Sequence, residues 1–210
     1  FEVPCQGLAT HQPLTAMGRF NHEAAAVDPN TGVVYLTEDR DDGLLYRFTP
    51  NRKGDLQAGG VLDSLQFADF LSGIDTSQTL GSQMFRPFPV RWVRIDEPDP
   101  DHDNGRRSTR AQGRAKGAAR FSRGEGAWWG NDRLYFSCTS GGRAGRGQIF
   151  SFDPKAQTLT LVIEATNEHT MAAPDNLTVG PQGRVYISED GSGVERIWGL
   201  TGEGRLFEVA

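Results

Sequence analysis

The sequence predicts an all-β fold, a β-propeller of antiparallel four-stranded blades present as an incomplete set, and three observations carry that prediction. One unit occurs three times: HEAAAVDPNTGVVYLTEDRDDGLLYRFTP from His22, GEGAWWGNDRLYFSCTSGGRAGRGQIFSFDP from Gly124 and PDNLTVGPQGRVYISEDGSGVERIWGLTGEGRLFEVA from Pro174. Each copy opens on a carboxylate (Glu23, Glu125, Asp175) and reaches a strand Tyr (Tyr35, Tyr135, Tyr186) after 12, 10 and 11 residues, so the copies agree to within a turn length. A second aromatic strand follows, ending near Phe48, Phe152 or Phe207. Finally, Gly is abundant, at 26 of 210 residues, and helix-period apolar patterns are scarce, which favours a β-rich chain with many turns. Repeats of short strands are the sequence form of propeller blades.

In chain order, residues 1–20 open with FEVP as a short strand, then a polar link to Gly18. The first repeat, roughly residues 21–50, sets the turn DPNTG between two strands. Within 51–88, LDSLQFADFL has an apolar spacing that predicts a short helix, followed by polar loop. PVRWVRID, residues 89–96, alternates about Trp92 and reads as one strand,. The stretch DEPDPDHDNGRRSTRAQGRAKGAARFSRGEG turns from acidic to basic and reads as a long loop,. The second and third repeats fill 124–154 and 174–210, joined by a strand, TLTLVIEA, at 158–165. Residues 1–210 are thus one propeller domain or a portion of one, with loop-rich insertions near 51–88 and 97–120. Propellers usually have about four to eight blades, so three repeats are too few to close a ring. The chain therefore reads as part of a longer protein, an open arc or a ring completed by another chain.

Radial blades bring equivalent positions together at the axis, which would gather Glu23, Glu125 and Asp175 into a ring of carboxylates,. Such a ring repels itself unless cations neutralise it, and hard oxygen donors suit Ca²⁺. Two acidic pairs, Glu38-Asp39 and Glu189-Asp190, end the Tyr strands at matching places. Alternation along a strand sends the two side chains of a pair to opposite faces, so at most one faces a given site unless the strand has bent. Arg123, two residues before Glu125, is placed to clamp a phosphate,. The six basic residues before it (Arg106, Arg107, Arg110, Arg114, Lys116, Arg120) read as a solvated loop.

The net charge of −5 argues against a general nucleic-acid binder,. No apolar run approaches membrane-spanning length,. Asp99, Asp101 and Asp103 resemble the start of an EF-hand loop, but the sixth position is Asn104 and the twelfth Arg110, which excludes it,. A nucleophile elbow, G-x-S-x-G, is absent, and Cys5 and Cys138 have no evident His partner,.

GRFNHEAAAVDPNTGVVYLTEDR, RGEGAWWGNDRLYFSCTSGG and PDNLTVGPQGRVYISEDG resemble the PhoX-type alkaline phosphatases and their uncharacterised relatives, over most of the chain outside 51–88 and 97–120. The resemblance implies a propeller whose central cluster combines calcium and iron, Ca²⁺ and Fe³⁺, and hydrolyses a small-molecule phosphomonoester. It implies Glu23, Glu38, Asp39, Glu125, Asp175 and Asn176 as metal ligands and Arg123 as the phosphate contact. It also implies a periplasmic or secreted protein. The family's phosphatases more often show two aspartates where Glu38-Asp39 stands, and their iron-binding cysteine lies in an upstream segment, with Cys5 outside the matching context. GEGAWW and PDNL also look like segments of calcium-dependent, gluconolactonase-like lactonase propellers. A non-catalytic calcium-binding propeller is the third reading.

Overall fold

Turn chemistry and two-residue alternation produce the hairpins. The computed structural model describes residues 1–9, 11–167, 170–202 and 204–210, apart from the side chains of Thr79 and Ser82. The strands are β1 (His22–Val27), β2 (Val34–Glu38), β3 (Leu45–Arg52), β4 (Asp55–Phe67) and β5 (Pro87–Arg94), then β6 (Gly124–Gly130), β7 (Arg133–Cys138), β8 (Gln148–Asp153) and β9 (Thr158–Glu164). They continue with β10 (Pro174–Val179), β11 (Val185–Glu189), β12 (Ile197–Leu200) and β13 (Leu206–Glu208). Two short helices, α1 (Thr76–Thr79) and α2 (Thr109–Ala115), lie in the insertions.

Strands β1 to β4, β6 to β9 and β10 to β13 are three antiparallel four-stranded blades, each wound in chain order. The β1–β2 turn is closed by Asp28, whose carboxylate accepts from the Asn30 N–H (2.8 Å) and the Thr31 hydroxyl (2.7 Å). In the β6–β7 turn Asn131 and Asp132 both have positive φ, 52° and 57°, as a two-residue type I′ hairpin requires. β5 joins the outer edges of two blades: Val90–Arg94 pair with β4 and Pro87–Pro89 with β9. That pairing covers both edge strands and fuses the first two blades into one nine-stranded sheet,.

Both faces of each of the first two blades are buried, and this organises the core. On β2, Tyr35 points into the layer between the first two blades, with Leu65, Phe67, Phe136, Phe150 and Phe152. Its neighbours Val34 and Leu36 point the other way, into a layer with Phe20, Tyr46, Phe48 and Leu62. Ile149, Leu177, Ile187 and Trp198 fill the layer between the second and third blades. Innermost are β1, β6 and β10, with β6 packed against the other two.

Four expectations need correction. FEVP is not a strand. LDSLQF lies in β4 rather than a helix. Its apolar spacing escapes period two because Leu62 faces one core layer while Leu65 and Phe67 face another,. The 97–120 segment is not a free loop: it carries α2, whose N-cap Ser108 accepts from the Ala111 N–H at 3.1 Å. Arg106, Arg107, Arg114 and Lys116 are exposed as a solvated stretch would be, the last three beside Glu97, Asp42 and Asp96, while Arg110 is buried against Glu38. In the third blade Leu200, facing Val185, stands where Phe48 and Phe152 stand in the others, and Phe207 belongs to the fourth strand.

Candidate metal centre

Each inner strand carries the same irregularity at its acid. His22 faces Glu38 and Ala25 faces Leu36, so three steps along β1 match two along β2. Gly124 and Ala127 face Cys138 and Phe136 in the same way, and Pro174 and Leu177 face Glu189 and Ile187. One extra residue per strand is a β-bulge, which bends the strand and re-aims a side chain. Glu23, Glu125 and Asp175 are each the first residue inside the bulge. Glycine allows the strands to converge there: a Cβ on Gly126 would meet the Asn176 Cα and the Asp175 carbonyl, both at 2.7 Å.

Backbone groups unpaired by the bulges are satisfied by hydroxyls one residue before each second strand's end or just beyond it. Thr37 accepts from the Ala24 N–H (2.9 Å) and donates to the Glu125 carbonyl (2.6 Å), which ties the first blade to the second. Ser137 donates to the Asp175 carbonyl (2.6 Å) and Thr139 to the Pro174 carbonyl (3.0 Å), which ties the second to the third. Sequence reading missed these residues, although the alignment of Thr37, Ser137 and Ser188 one place before Glu38, Cys138 and Glu189 is visible in the repeat.

One carboxylate oxygen each of Glu23, Asp39 and Glu125 lie within 4.8 Å of one another. Glu125 is buried, Asp39 partly so, and Glu23 is exposed. Asp39 follows β2, held by its N–H to the Asn21 carbonyl at 3.0 Å. Burial pushes the Glu125 carboxyl up to about 7, the charge of Asp39 adds to this, Arg123 opposes it, and Glu23 and Asp175 raise it further. Asp175 acts on Glu125 through its charge but is not one of the three converging acids; its Oδ2 accepts from Asn176 Nδ2 at 3.2 Å. Arg123 spans the group: Nε and an Nη bond the two oxygens of Asp39 (2.8 and 3.2 Å), and the same Nη reaches Glu125 Oε1 at 2.6 Å.

Glu38 lies outside the group. It is wholly buried, paired with Arg110 at 2.6 Å, and accepts from the Tyr46 hydroxyl (2.9 Å) and the Leu44 N–H (3.1 Å). Glu189 is its counterpart in the third blade and accepts from Trp198 Nε1 (2.8 Å), the Arg196 N–H (3.0 Å) and the Ala172 N–H (2.6 Å). In these pairs the Glu holds the loop that returns to the third strand, and alternation turns the following Asp away from it. His22 also faces away from Glu23: its ring stacks on Phe20 at 3.7 Å, and its Nε2 bonds the Gly18 carbonyl at 2.9 Å.

The donor set is all oxygen and carries several negative charges around one buried carboxylate, which fits a hard divalent cation. Among the described residues no sulfur joins it, for Cys138 is buried at the β2-type strand end and Cys5 is exposed in the N-terminal segment.

A family model described as "Alkaline phosphatase PhoX" matches residues 1–210. No curated protein matches. Among solved structures, Pseudomonas fluorescens PhoX in complex with vanadate, a transition-state analogue, is similar at a TM-score of 0.67 and 19% identity; the match covers 92% of this chain and 45% of that one. The chain thus spans less than half the length of that relative. A luciferin-regenerating enzyme matches at a TM-score of 0.35 and 10% identity, over 93% of this chain and 77% of that one.

Proposed function

We propose, from the premise that the chain belongs to the alkaline phosphatase PhoX family, that the protein carrying it is a metal-dependent phosphomonoester hydrolase. The observation that carries this is the convergence of Glu23, Asp39 and Glu125 from bulged inner strands and a strand end, with Arg123 among them. The vanadate held by the Pseudomonas relative, a transition-state analogue, supports the same chemistry.

Glu23, Asp39, Glu125 and Asp175, with the Asn176 side chain beside them, would hold the metal. Glu38 is left out because its oxygens are taken by Arg110, Tyr46 and Leu44. Calcium fits the oxygen donors; a place for iron in the set rests on the family resemblance alone. Bound there, the metal would neutralise phosphate charge, lower the pKa of a water and stabilise the leaving oxygen. The chain's own residues do the rest. The carboxylates fix the site's geometry, the bulges aim them, and Thr37 and Ser137 hold adjacent inner strands in register. Arg123 orients the phosphate through a planar pair of N–H donors. Among the described residues no Ser–His or Cys–His pair offers a protein nucleophile, since Cys138 is buried and burial pushes its thiol far up. Export from the cytoplasm is part of the proposal, and cell fractionation tests it.

Elemental analysis of the whole protein tests the site. The wild type is expected to retain calcium after gel filtration, and Glu23→Gln, Asp39→Asn and Glu125→Gln to lose it. Unchanged metal content in all three variants would remove the site.

A further inference from the structure

We propose that Arg123 is an internal counter-ion that exchanges with the metal: its guanidinium holds the carboxylates while the site is metal-free, and metal entry displaces it toward the substrate phosphate. The inference rests on the metal-site reading above and adds an order to it, metal first and phosphate second.

Arg123 occupies oxygens of two of the three acids that would hold a metal. Both oxygens of Asp39 and Oε1 of Glu125 accept from its Nε and Nη atoms, and Asp39 and Glu125 are two of the three converging acids. A cation coordinated by those oxygens would sit within a few ångströms of the guanidinium, where two positive charges at low dielectric repel strongly. The backbone of Arg123 does not offer an escape. It is fixed at φ 53° by an N–H bond to the Arg40 carbonyl (2.8 Å) and by the Thr139 N–H on its own carbonyl (2.9 Å). Ala173, two residues before Asp175 in the third blade, has φ 45°, so the second and third blades share this left-handed turn and the long side chain is what the second blade adds. Metal binding must therefore move the side chain and not the main chain. A guanidinium released from two carboxylates, tethered two residues from Glu125, has its forked donors free for an incoming phosphate.

The competing reading is that Arg123 merely positions Asp39 and Glu125 for the metal. The two readings predict opposite signs. Calcium affinity of the whole protein, stripped with chelator, is measured by titration calorimetry for wild type, Arg123→Gln and Arg123→Lys, followed by titration with inorganic phosphate. Exchange predicts that Arg123→Gln binds Ca²⁺ about tenfold more tightly. It also predicts that phosphate binds the calcium-loaded wild type and not the metal-free protein, and that calcium-loaded Arg123→Gln binds phosphate at least about tenfold more weakly. Arg123→Lys, which keeps the charge without the fork, is expected to bind Ca²⁺ like wild type and phosphate weakly. Weaker or unchanged Ca²⁺ binding by Arg123→Gln, or equal phosphate binding with and without metal, overturns the exchange while leaving the metal site standing. A wild type that binds no Ca²⁺ overturns both.

Discussion

Thr37→Val tests the claim that hydroxyls on the second strands lock neighbouring blades. The substitution keeps the side-chain shape and removes one oxygen that is buried and doubly bonded, to the Ala24 N–H at 2.9 Å and the Glu125 carbonyl at 2.6 Å. The bond to the Glu125 carbonyl is buried, whereas the one from the Ala24 N–H is only partly so. A buried polar group left unpaired costs about 1–3 kcal/mol. Ala24 is only partly buried, so the expected loss is about 2–4 kcal/mol in total. For a domain of this size that lowers Tm by roughly 4–16 °C. Thr37→Ser keeps the hydroxyl and is expected to recover most of it. The assay is thermal unfolding of the metal-free whole protein by circular dichroism, with urea melts to check that the slope is unchanged. A loss of Thr37→Val below about 0.5 kcal/mol, within the range of ordinary surface substitutions, would refute the reasoning.

The remaining predictions concern the same site and its supports. Glu38→Ala leaves the buried Arg110 with Asp42, 3.0 Å away, as an ion-pair partner and is expected to destabilise by about 1–3 kcal/mol, with calcium stoichiometry unchanged at temperatures where the variant is folded; loss of calcium at full folding would return Glu38 to the ligand set. Gly126→Ala places a methyl group against the Asn176 Cα and Asp175 carbonyl and is expected to lower both Tm and calcium affinity. An unchanged affinity would show that the approach of β6 to β10 does not set the site. In the metal-free protein the Glu125 carboxyl is raised from 4.5 to about 7. Its contribution to stability is therefore fully present below about 4.5 and lost as pH rises through about 7,. Unfolding free energy measured across that window should fall for wild type relative to Glu125→Gln, and parallel curves would contradict the shift.

Glu23 and Glu125 were legible in the sequence because they recur at the same place in a repeat that winds radially, whereas the third place in the converging triad falls to Asp39 and not to Asp175, the repeat's third acid. The bulges were not legible, since one extra residue in an inner strand leaves no mark until the pairing His22–Glu38 and Ala25–Leu36 is known. Alternation foretold that Glu38 and Asp39 face apart. Which of them joins the site was decided by Arg110, 72 residues on, whose ion pair with Glu38 no local pattern announces. The same distance hid the burial of Arg110 itself, while its neighbours Arg114 and Arg120 keep contact with solvent beside Asp42 and Asp75. Residues 62–67, the end of β4, carry a helix-like apolar spacing because helical and strand periods are told apart by a single buried face, and here both faces are covered,.

The central claim is that phosphomonoester hydrolysis depends on a metal held by the converging carboxylates. Turnover of p-nitrophenyl phosphate by the whole protein, before chelation, after chelation and after calcium is restored, tests it most directly when Glu125→Gln is assayed alongside. The account predicts that chelation abolishes turnover, that calcium restores it in the wild type, and that Glu125→Gln stays inactive throughout. Full turnover by chelated wild type, or by Glu125→Gln, would contradict it.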